Sequence, residues 1–422
     1  MDGWRKGPER EQPAHGGPLF GGASVRFLFL IPHPLVPSNR GNKIYSLSLL
    51  RELSRYHECD VLGFEEPNTH GDWASLASPG SGLRVLETFE QARGSALRAG
   101  RWRAIRSGLP WALARYESAP LRSYLRALDL SKYGAICFDM FLMAGYCDLA
   151  SSRPTVLWST DAYSMMLWRA AKTTPSVGPK VRFLAEAAVQ ARFERQVYPR
   201  FTRVVTVSQV DAAWISKVTG GRARVSVVEI PVEPLEPSNP AERAHDLVIC
   251  WALLKSEGVA SSVASFVRRG WPAVRARFPS AHLLLLGPSP PSFLRAEISR
   301  QPGVTQVDFV EDWRAVLHSA SIFLYPQHCG SGQQTKVQSA MSMSLPLVIA
   351  PETATGLGLK HGDAALVCRD ADECAEACIR LLENRTLRQS LGASARNHVL
   401  HHNAPKDLGR QMTSLLEEVA AR

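Results

Sequence analysis

The segment that decides the fold reads Tyr325-Pro-Gln-His-Cys-Gly330-Ser-Gly-Gln-Gln-Thr-Lys336-Val-Gln-Ser-Ala-Met-Ser-Met343, and a second apolar run occupies 345–350. An apolar strand ends at Tyr325, Gly330 and Gly332 follow, and the spacing predicts a helix over 338–343. Backbone N–H groups at such a helix start favour a phosphate, and Lys336 adds a positive charge there. The segment therefore predicts an anion site, although a plain strand–turn–helix unit with a solvated lysine has the same pattern.

The same alternation of short apolar runs with helical periodicity extends along the chain. Expected strands lie at 25–31, 59–64, 83–86, 134–138, 155–158 and 203–207, and then at 246–251, 282–286, 304–309, 321–325, 345–350 and 365–368. Four prolines between Pro231 and Pro240 predict an inter-domain linker. We expect an α/β protein with two Rossmann-like parallel-sheet domains, whose strands end at a shared cleft.

A length of 422 residues suits two domains. We expect a disordered tail over 1–23, a first domain over 24–232, a linker over 233–245, a second domain over 246–400 and a C-terminal helix over 401–422. No apolar run reaches the roughly 18–20 residues of a membrane span, which favours a cytoplasmic protein. The eight cysteines form no Cys-x-x-Cys pair and are interpreted as reduced thiols, so neither a metal nor another cofactor is expected.

The formal charge of +10 indicates an anionic partner. A basic, tryptophan-containing stretch between Leu97 and Leu128 fits peripheral docking on the anionic inner face of a membrane. A solvated basic helix face fits this stretch equally well. Nucleic acid is not an expected partner, because no recognised binding module accompanies the charge.

The chain resembles glycosyltransferase family 4, the retaining group 1 transferases of the GT-B fold, whose members carry a segment like Gly-x-Gly-x-x-x-Lys-Val-x-Glu-Ala-Met. The matching residues here are Gly330, Gly332, Lys336, Val337, Ala340, Met341, Pro346 and Val348. In the first half, the loop from Ile31 to Gly41 is similar to the Gly-rich loop of a subgroup linked to polysaccharide assembly. The resemblance spans roughly residues 25–400.

This resemblance implies a retaining transferase that moves a sugar from a nucleotide-sugar donor to a glycan, a lipid-linked or a small natural-product acceptor. It places Gly41 against the donor diphosphate, together with Gly330, Gly332 and Lys336, and Lys336 would also stabilise the departing charge. Lys255 is a further expected phosphate contact. Asp139 and Asp161 follow strands of the first domain and are expected acceptor contacts, although each also fits a loop or capping role.

The sequence departs from the family pattern at two glutamates that hold the transferred sugar and the nucleotide ribose. Ser331 and Ser339 occupy these positions. A carboxylate accepts hydrogen bonds about twice as strong as neutral ones, whereas a serine can still accept or donate a hydrogen bond but is shorter and uncharged. We therefore keep two alternatives: a catalytically inactive GT-B homologue that acts as a binding or scaffold protein, and an epimerase that acts on the nucleotide sugar.

Overall fold

The computed structural model describes residues 24–36, 41–66, 72–76, 82–174, 176–237, 246–329 and 332–422. The expected tail over 1–23, most of the expected linker, Gly330 and Ser331 lie outside the described residues. Gly41 is assigned to a helix, but its side-chain environment is not described.

The first half forms a parallel sheet of seven strands within the described residues, in the order β3-β2-β1-β4-β5-β6-β7. Its elements are β1 (Arg26–Ile31), α1 (Gly41–Leu53), β2 (Glu58–Glu65), β3 (Leu83–Glu90), α2 (Gly94–Arg106), α3 (Ala119–Ala127), β4 (Ala135–Asp139), α4 (Met140–Met143), β5 (Thr155–Trp158), α5 (Tyr163–Thr173), α6 (Val177–Val197), β6 (Arg203–Thr206), α7 (Gln209–Thr219) and β7 (Val225–Val227).

The second half forms a parallel sheet of six strands in the same part of the structure, ordered β10-β9-β8-β11-β12-β13. Its elements are β8 (Leu247–Trp251), α8 (Glu257–Ser265), α9 (Trp271–Arg277), β9 (His282–Leu286), α10 (Ser292–Arg300), β10 (Val304–Val307), α11 (Trp313–Ser319), β11 (Ile322–Tyr325), α12 (Thr335–Ser342), β12 (Leu347–Ile349), α13 (Pro351–Gly356), β13 (Leu366–Val367), α14 (Ala371–Glu383), α15 (Arg385–His402) and α16 (Pro405–Ala420).

The central strands have unbroken apolar sequences because both faces of the sheet are buried. Five of the six residues of β1 are buried, because helices cover both faces of a parallel sheet. In register, Phe29 pairs with Val61 of β2 on one side and with Cys137 of β4 on the other. The predicted fold class, two Rossmann-like parallel-sheet domains, is confirmed.

Two local predictions need correction. The helix expected over 338–343 begins earlier, at Thr335, so Lys336 is its second residue. The basic stretch between Leu97 and Leu128 contains three short elements rather than one helix, since Gly108 (φ +62°) and Pro110 separate α2 from a 3-10 turn, Trp111–Arg115, that precedes α3.

The chain crosses between the two cores at two places. Ile230 packs in the first core and Val232 in the second, so the first crossing lies at Pro231. At the other end, α15 contributes Val399 to the second core, whereas α16 contributes Leu416 to the first. The C-terminal helix therefore completes the core of the first domain. No helix among the described residues is long and apolar enough to cross a membrane.

Candidate functional site

The order of the strands locates the candidate site. In the first sheet β1 lies between β2 and β4, and in the second β8 lies between β9 and β11. At these switch points the connections leave the sheet in opposite directions, which opens a crevice at the carboxyl ends of the strands. Gly41, Asp139 and Lys255 follow or end strands at these points, and so does the segment from 326 to 334.

Lys336 is the strongest candidate for an anion contact. It is the second residue of α12, where backbone N–H groups are not used within the helix. Its side chain is mostly buried, and this burial lowers the pKa of Lys336 to about 8, while the thiol of Cys250 opposes the shift. A cation in a partly desolvated site interacts strongly with a phosphate that binds there, because little water screens the charges.

An aromatic ring lies beside this lysine. The Lys336 Nζ lies 5.4 Å from the ring centre of Trp251, the last residue of β8. The Trp251 ring packs at 5.4 Å against Trp313, the first residue of α11, and the guanidinium of Arg314 lies 4.6 Å from the ring centre of Trp313. The sequence does not indicate this contact, because the pairing of the two rings depends on the adjacency of β8 and α11 in space.

The other predicted donor contacts differ in their surroundings. The Ser339 hydroxyl donates to the Thr335 carbonyl within α12, at 3.0 Å. Lys255 is exposed in the turn after β8, and Gly41 is the first residue of α1. The roles of these residues, and those of Gly330 and Ser331, stay predictions.

Gly332 brings the second domain against the first. Its φ of +58° is a left-handed conformation that favours glycine. A Cβ atom at this position would lie 2.7 Å from Asp211 Oδ2 and 2.9 Å from a methyl group of Val207, both in the first domain. The loop after β11 therefore approaches the amino end of α7 without room for a side chain.

Asp139 is buried at the end of β4 and accepts a 2.9 Å hydrogen bond from the Ser46 hydroxyl. Burial raises the pKa of Asp139 to about 7, and the Ser46 bond reduces the shift. Its Oδ1 has no hydrogen-bond partner among the described residues. The backbone turns sharply after it, since Met140 has φ +61°. Asp139 is thus a buried carboxyl group with one free oxygen beside the first switch point.

Asp161 lies in the loop after β5, where Ser159, Thr160 and Tyr163 line a small depression. Close by, Asp211 accepts from the Ala162 N–H at 2.9 Å and from the Ser208 hydroxyl. Burial raises the pKa of Asp211 to about 7, and the negative charge of Asp161 adds to the shift. Ser208 caps the start of α7, since its hydroxyl accepts a 3.1 Å hydrogen bond from the Asp211 N–H. That Asp211 also holds the Asp161 loop could not be predicted from the sequence.

A further polar pair was missed by sequence reasoning. His328 Nδ1 lies 3.0 Å from Glu352 Oε2, at the start of α13, and the charge of Arg169 on α5 acts on the same carboxylate. The pKa of Glu352 is lowered by His328 and Arg169, although burial opposes this. The two residues are 24 positions apart, and only the pairing of β11 with β12 brings them together.

The described residues contain no group of three or more His, Cys, Asp or Glu side chains arranged to hold a metal ion. The expectation that no metal takes part stays a prediction.

Comparisons with known proteins agree with this architecture. Residues 254–384, which include the loop after β11 and α12, match the model of the family "Glycosyl transferases group 1". A comparison with curated protein sequences found no significant match.

Solved structures of similar fold cover nearly the whole chain. Sucrose-phosphate synthase from Thermosynechococcus elongatus is 15% identical, with a TM-score of 0.70 over 94% of this chain and 99% of that one. HepE from Anabaena, solved with UDP and glucose, is 15% identical, with a TM-score of 0.61 over 93% and 99%. A glycosyltransferase from Rickettsia africae is 10% identical, with a TM-score of 0.62 over 94% and 98%. The chain therefore has the GT-B fold, and residues 254–384 of its second domain match the group 1 glycosyl transferase model.

Proposed function

We propose that this protein is a retaining glycosyltransferase that moves a sugar from a nucleotide-sugar donor to a glycan, lipid-linked or small natural-product acceptor. One observation carries the proposal: Lys336 is a mostly buried cation at the start of α12, at the switch point of a group 1 glycosyl transferase domain. HepE, of similar fold, was solved with UDP and glucose, which supports a nucleotide-sugar donor here.

In the proposed reaction the bond between the anomeric carbon and the diphosphate oxygen breaks, and a bond to the acceptor oxygen forms on the same face. The acceptor proton passes to the departing phosphate oxygen, so no separate base is required. Lys336 and the amino end of α12 stabilise the charge that develops on the diphosphate. Asp139 and Asp161 hold acceptor hydroxyl groups from the first domain, and positioning of the two substrates supplies much of the rate.

A panel of nucleotide sugars, assayed by nucleotide release with several acceptors, tests this proposal. We expect Lys336→Ala to weaken nucleoside-diphosphate binding by about 1.5–3 kcal/mol, the range for a charged hydrogen bond. Lys360→Ala is the matched control, because Lys360 is exposed in the same domain. Equal affinity of the two folded variants by calorimetry would contradict the role of Lys336.

The second candidate function is an inactive binding or scaffold protein. Ser339 favours it, because its hydroxyl bonds back to the Thr335 carbonyl and adds no charge to the site. If the protein is inactive, wild type releases no nucleotide from any donor above the Lys336→Ala background. If it is active, Ser331→Glu/Ser339→Glu changes the donor preference or the rate, since carboxylates bind sugar hydroxyls strongly.

We also propose peripheral contact of the first domain with an anionic membrane surface at the inner face of the membrane. On α2 the side chains of Trp102 and Ile105 are 68% and 59% exposed. Exposed Arg98, Arg103 and Arg106 surround them, and the sequence has no acidic residue from 92 to 116. Apolar side chains within a basic face suit an anionic lipid surface.

Sedimentation with lipid vesicles distinguishes this contact from non-specific adsorption to the vesicles. We expect binding to vesicles rich in phosphatidylglycerol, loss of binding in Trp102→Ser/Ile105→Ser, and retention in Val177→Ser/Val181→Ser. The control pair is also exposed and apolar, but it lies on α6. Equal binding of both double variants would reject α2 as the contact.

A further inference from the structure

Gln333 follows Gly332 in the loop after β11, and its side-chain oxygen is the centre of a buried hydrogen-bond network. Gln333 Oε1 accepts from the backbone N–H of Ile230 at 2.9 Å, from Gln338 Nε2 at 3.0 Å and from Asn403 Nδ2 at 3.1 Å. Gln333, Gln338 and Asn403 are all buried. A carbonyl oxygen has two lone pairs, so this acceptor is fully used.

Two of these three donors stand at the places where the chain crosses between the domains. Ile230 is the last residue of the first crossing that packs in the first core. Asn403 lies in the second crossing, between α15 and α16. The crossings are also tied to each other, because Asn403 Nδ2 donates to the Ile230 carbonyl at 2.9 Å and the Val232 N–H donates to the Asn403 carbonyl at 2.8 Å.

Beyond this point the first crossing is fixed to the second domain. The N–H of Leu235 donates to the Ser342 hydroxyl at 2.9 Å, and that hydroxyl donates to the Glu233 carbonyl at 3.1 Å. Residues 233–235 therefore move with α12. A change in the angle between the domains has to be taken up close to Ile230 and Asn403, both of which donate hydrogen bonds to the Gln333 side chain.

The preceding residue faces the other domain. Gly332 lies so close to Asp211 and Val207 that it has no room for a Cβ atom, and the Gly332 carbonyl oxygen would be 2.3 Å from a Cβ atom at Gly356. A rotation of the domains that separates Gly332 from α7 therefore changes the surroundings of the loop that leads into α12 and Lys336.

We infer that Gln333 is a positioning residue that couples the angle between the two domains to the conformation of the loop in front of Lys336. The inference rests on the proposed function only for the identity of the ligand, a nucleoside diphosphate. The network sets the domain angle in the free protein. Ligand binding at the loop then favours the same angle between the domains. The reason is that the Gln333 side chain belongs to the loop and also bonds to both crossings, at Ile230 and Asn403.

Distances between spin labels on the two domains test the inference without a ligand. All eight native cysteines are buried, so labels can be directed to Ser95→Cys on α2 and Thr386→Cys on α15, which are exposed. In this background Gln333→Met removes the acceptor, whereas Gln338→Met removes one donor and leaves the bonds to Ile230 and Asn403. We expect Gln333→Met to broaden the distance distribution and Gln338→Met to retain the wild-type width. Gln333→Glu keeps an acceptor oxygen and should restore the narrow distribution.

The second readout is calorimetric titration with UDP. We expect Gln333→Met to lower the affinity for UDP at least fivefold more than Gln338→Met does, although both variants should lose the same amount of melting temperature relative to wild type. Equal distance distributions in the two Met variants would overturn the inference, and so would a broadened distribution with unchanged UDP affinity. If the wild-type protein binds no nucleoside diphosphate, the proposed function fails. The distances between the spin labels then still decide whether Gln333 sets the angle between the domains.

Discussion

At the scale of single residues, the lowered pKa of Lys336 predicts a pH-dependent affinity. Only the protonated amine attracts a diphosphate, and burial lowers its pKa to about 8. Affinity for UDP is therefore complete below this value and falls as the pH rises through it, by up to about tenfold per pH unit above pH 8. Calorimetry between pH 7 and pH 9.5 measures this, because the phosphate group itself, with a pKa of about 6, is already mostly ionised at pH 7.

Lys336→Arg provides the control for this titration. A guanidinium stays charged across the whole range, so its affinity for UDP should change little with pH even if the larger group binds less well. A wild-type affinity that is flat from pH 7 to pH 9.5, or one that falls equally in Lys336→Arg, would assign the pH dependence elsewhere.

The position of Lys336 could be predicted from the sequence, whereas its surroundings could not. Two glycines and a lysine before an apolar helix indicate an anion site from local chemistry alone. The contact with Trp251 and the burial that shifts the pKa come from β8, about eighty residues earlier in the chain. The same holds for Gln333, whose partners Ile230 and Asn403 carry no local signal.

At the scale of elements, the contact between α5 and α8 predicts a way to separate the domains. Gly258 on α8 lies against α5, and a Cβ atom there would be 2.9 Å from Thr173 Oγ1 and 3.6 Å from the Cα of Ala170. Gly258→Leu should force α5 and α8 apart. The transferase rate should fall at least tenfold, because the carboxylates of Asp139 and Asp161, which are proposed to hold the acceptor, then move away from α12. UDP affinity should also fall, because the domain angle is coupled to the loop in front of α12, but by a smaller factor than the rate. Steady-state kinetics and calorimetry measure the two effects.

Gly178→Leu is the control for a large side chain on a helix. Gly178 is the second residue of α6 and has open space around it, so this variant should keep both rate and affinity. If Gly258→Leu also retains the wild-type rate in a folded protein, the contact between α5 and α8 is not needed for the reaction.

Elements were predictable where periodicity decides them. The strand expected over 155–158 is β5, and the one expected over 282–286 is β9, because an apolar run of this length between polar loops is typical of a buried parallel strand. The short edge strand β7 was missed, since none of its three residues is fully buried and the apolar signal is weak. The start of α12 was placed late because polar Thr335 and Lys336 precede its apolar face.

At the scale of the whole molecule, the order of the chain does not match the order of the cores. The apolar positions of α16 predict an amphipathic helix, but they do not indicate which domain it covers. Gly409 settles the question, since a Cβ atom there would be 2.0 Å from the Glu52 side chain on α1. The helix returns to the first sheet after the second domain is complete, so the core of the first domain contains residues from both ends of the chain.

This return predicts that the first domain loses stability when the far end of the chain is changed. Leu416 on α16 is fully buried in the core of the first domain, and Leu416→Ala should destabilise that domain by about 2–5 kcal/mol through lost burial and a cavity. Leu415→Ala on the same helix should cost much less, because Leu415 is only partly buried. Hydrogen exchange followed by mass spectrometry should show faster exchange in β1 and β4 of Leu416→Ala, while β11 and β12 keep their protection. Faster exchange confined to β11 and β12 would place α16 with the second domain instead.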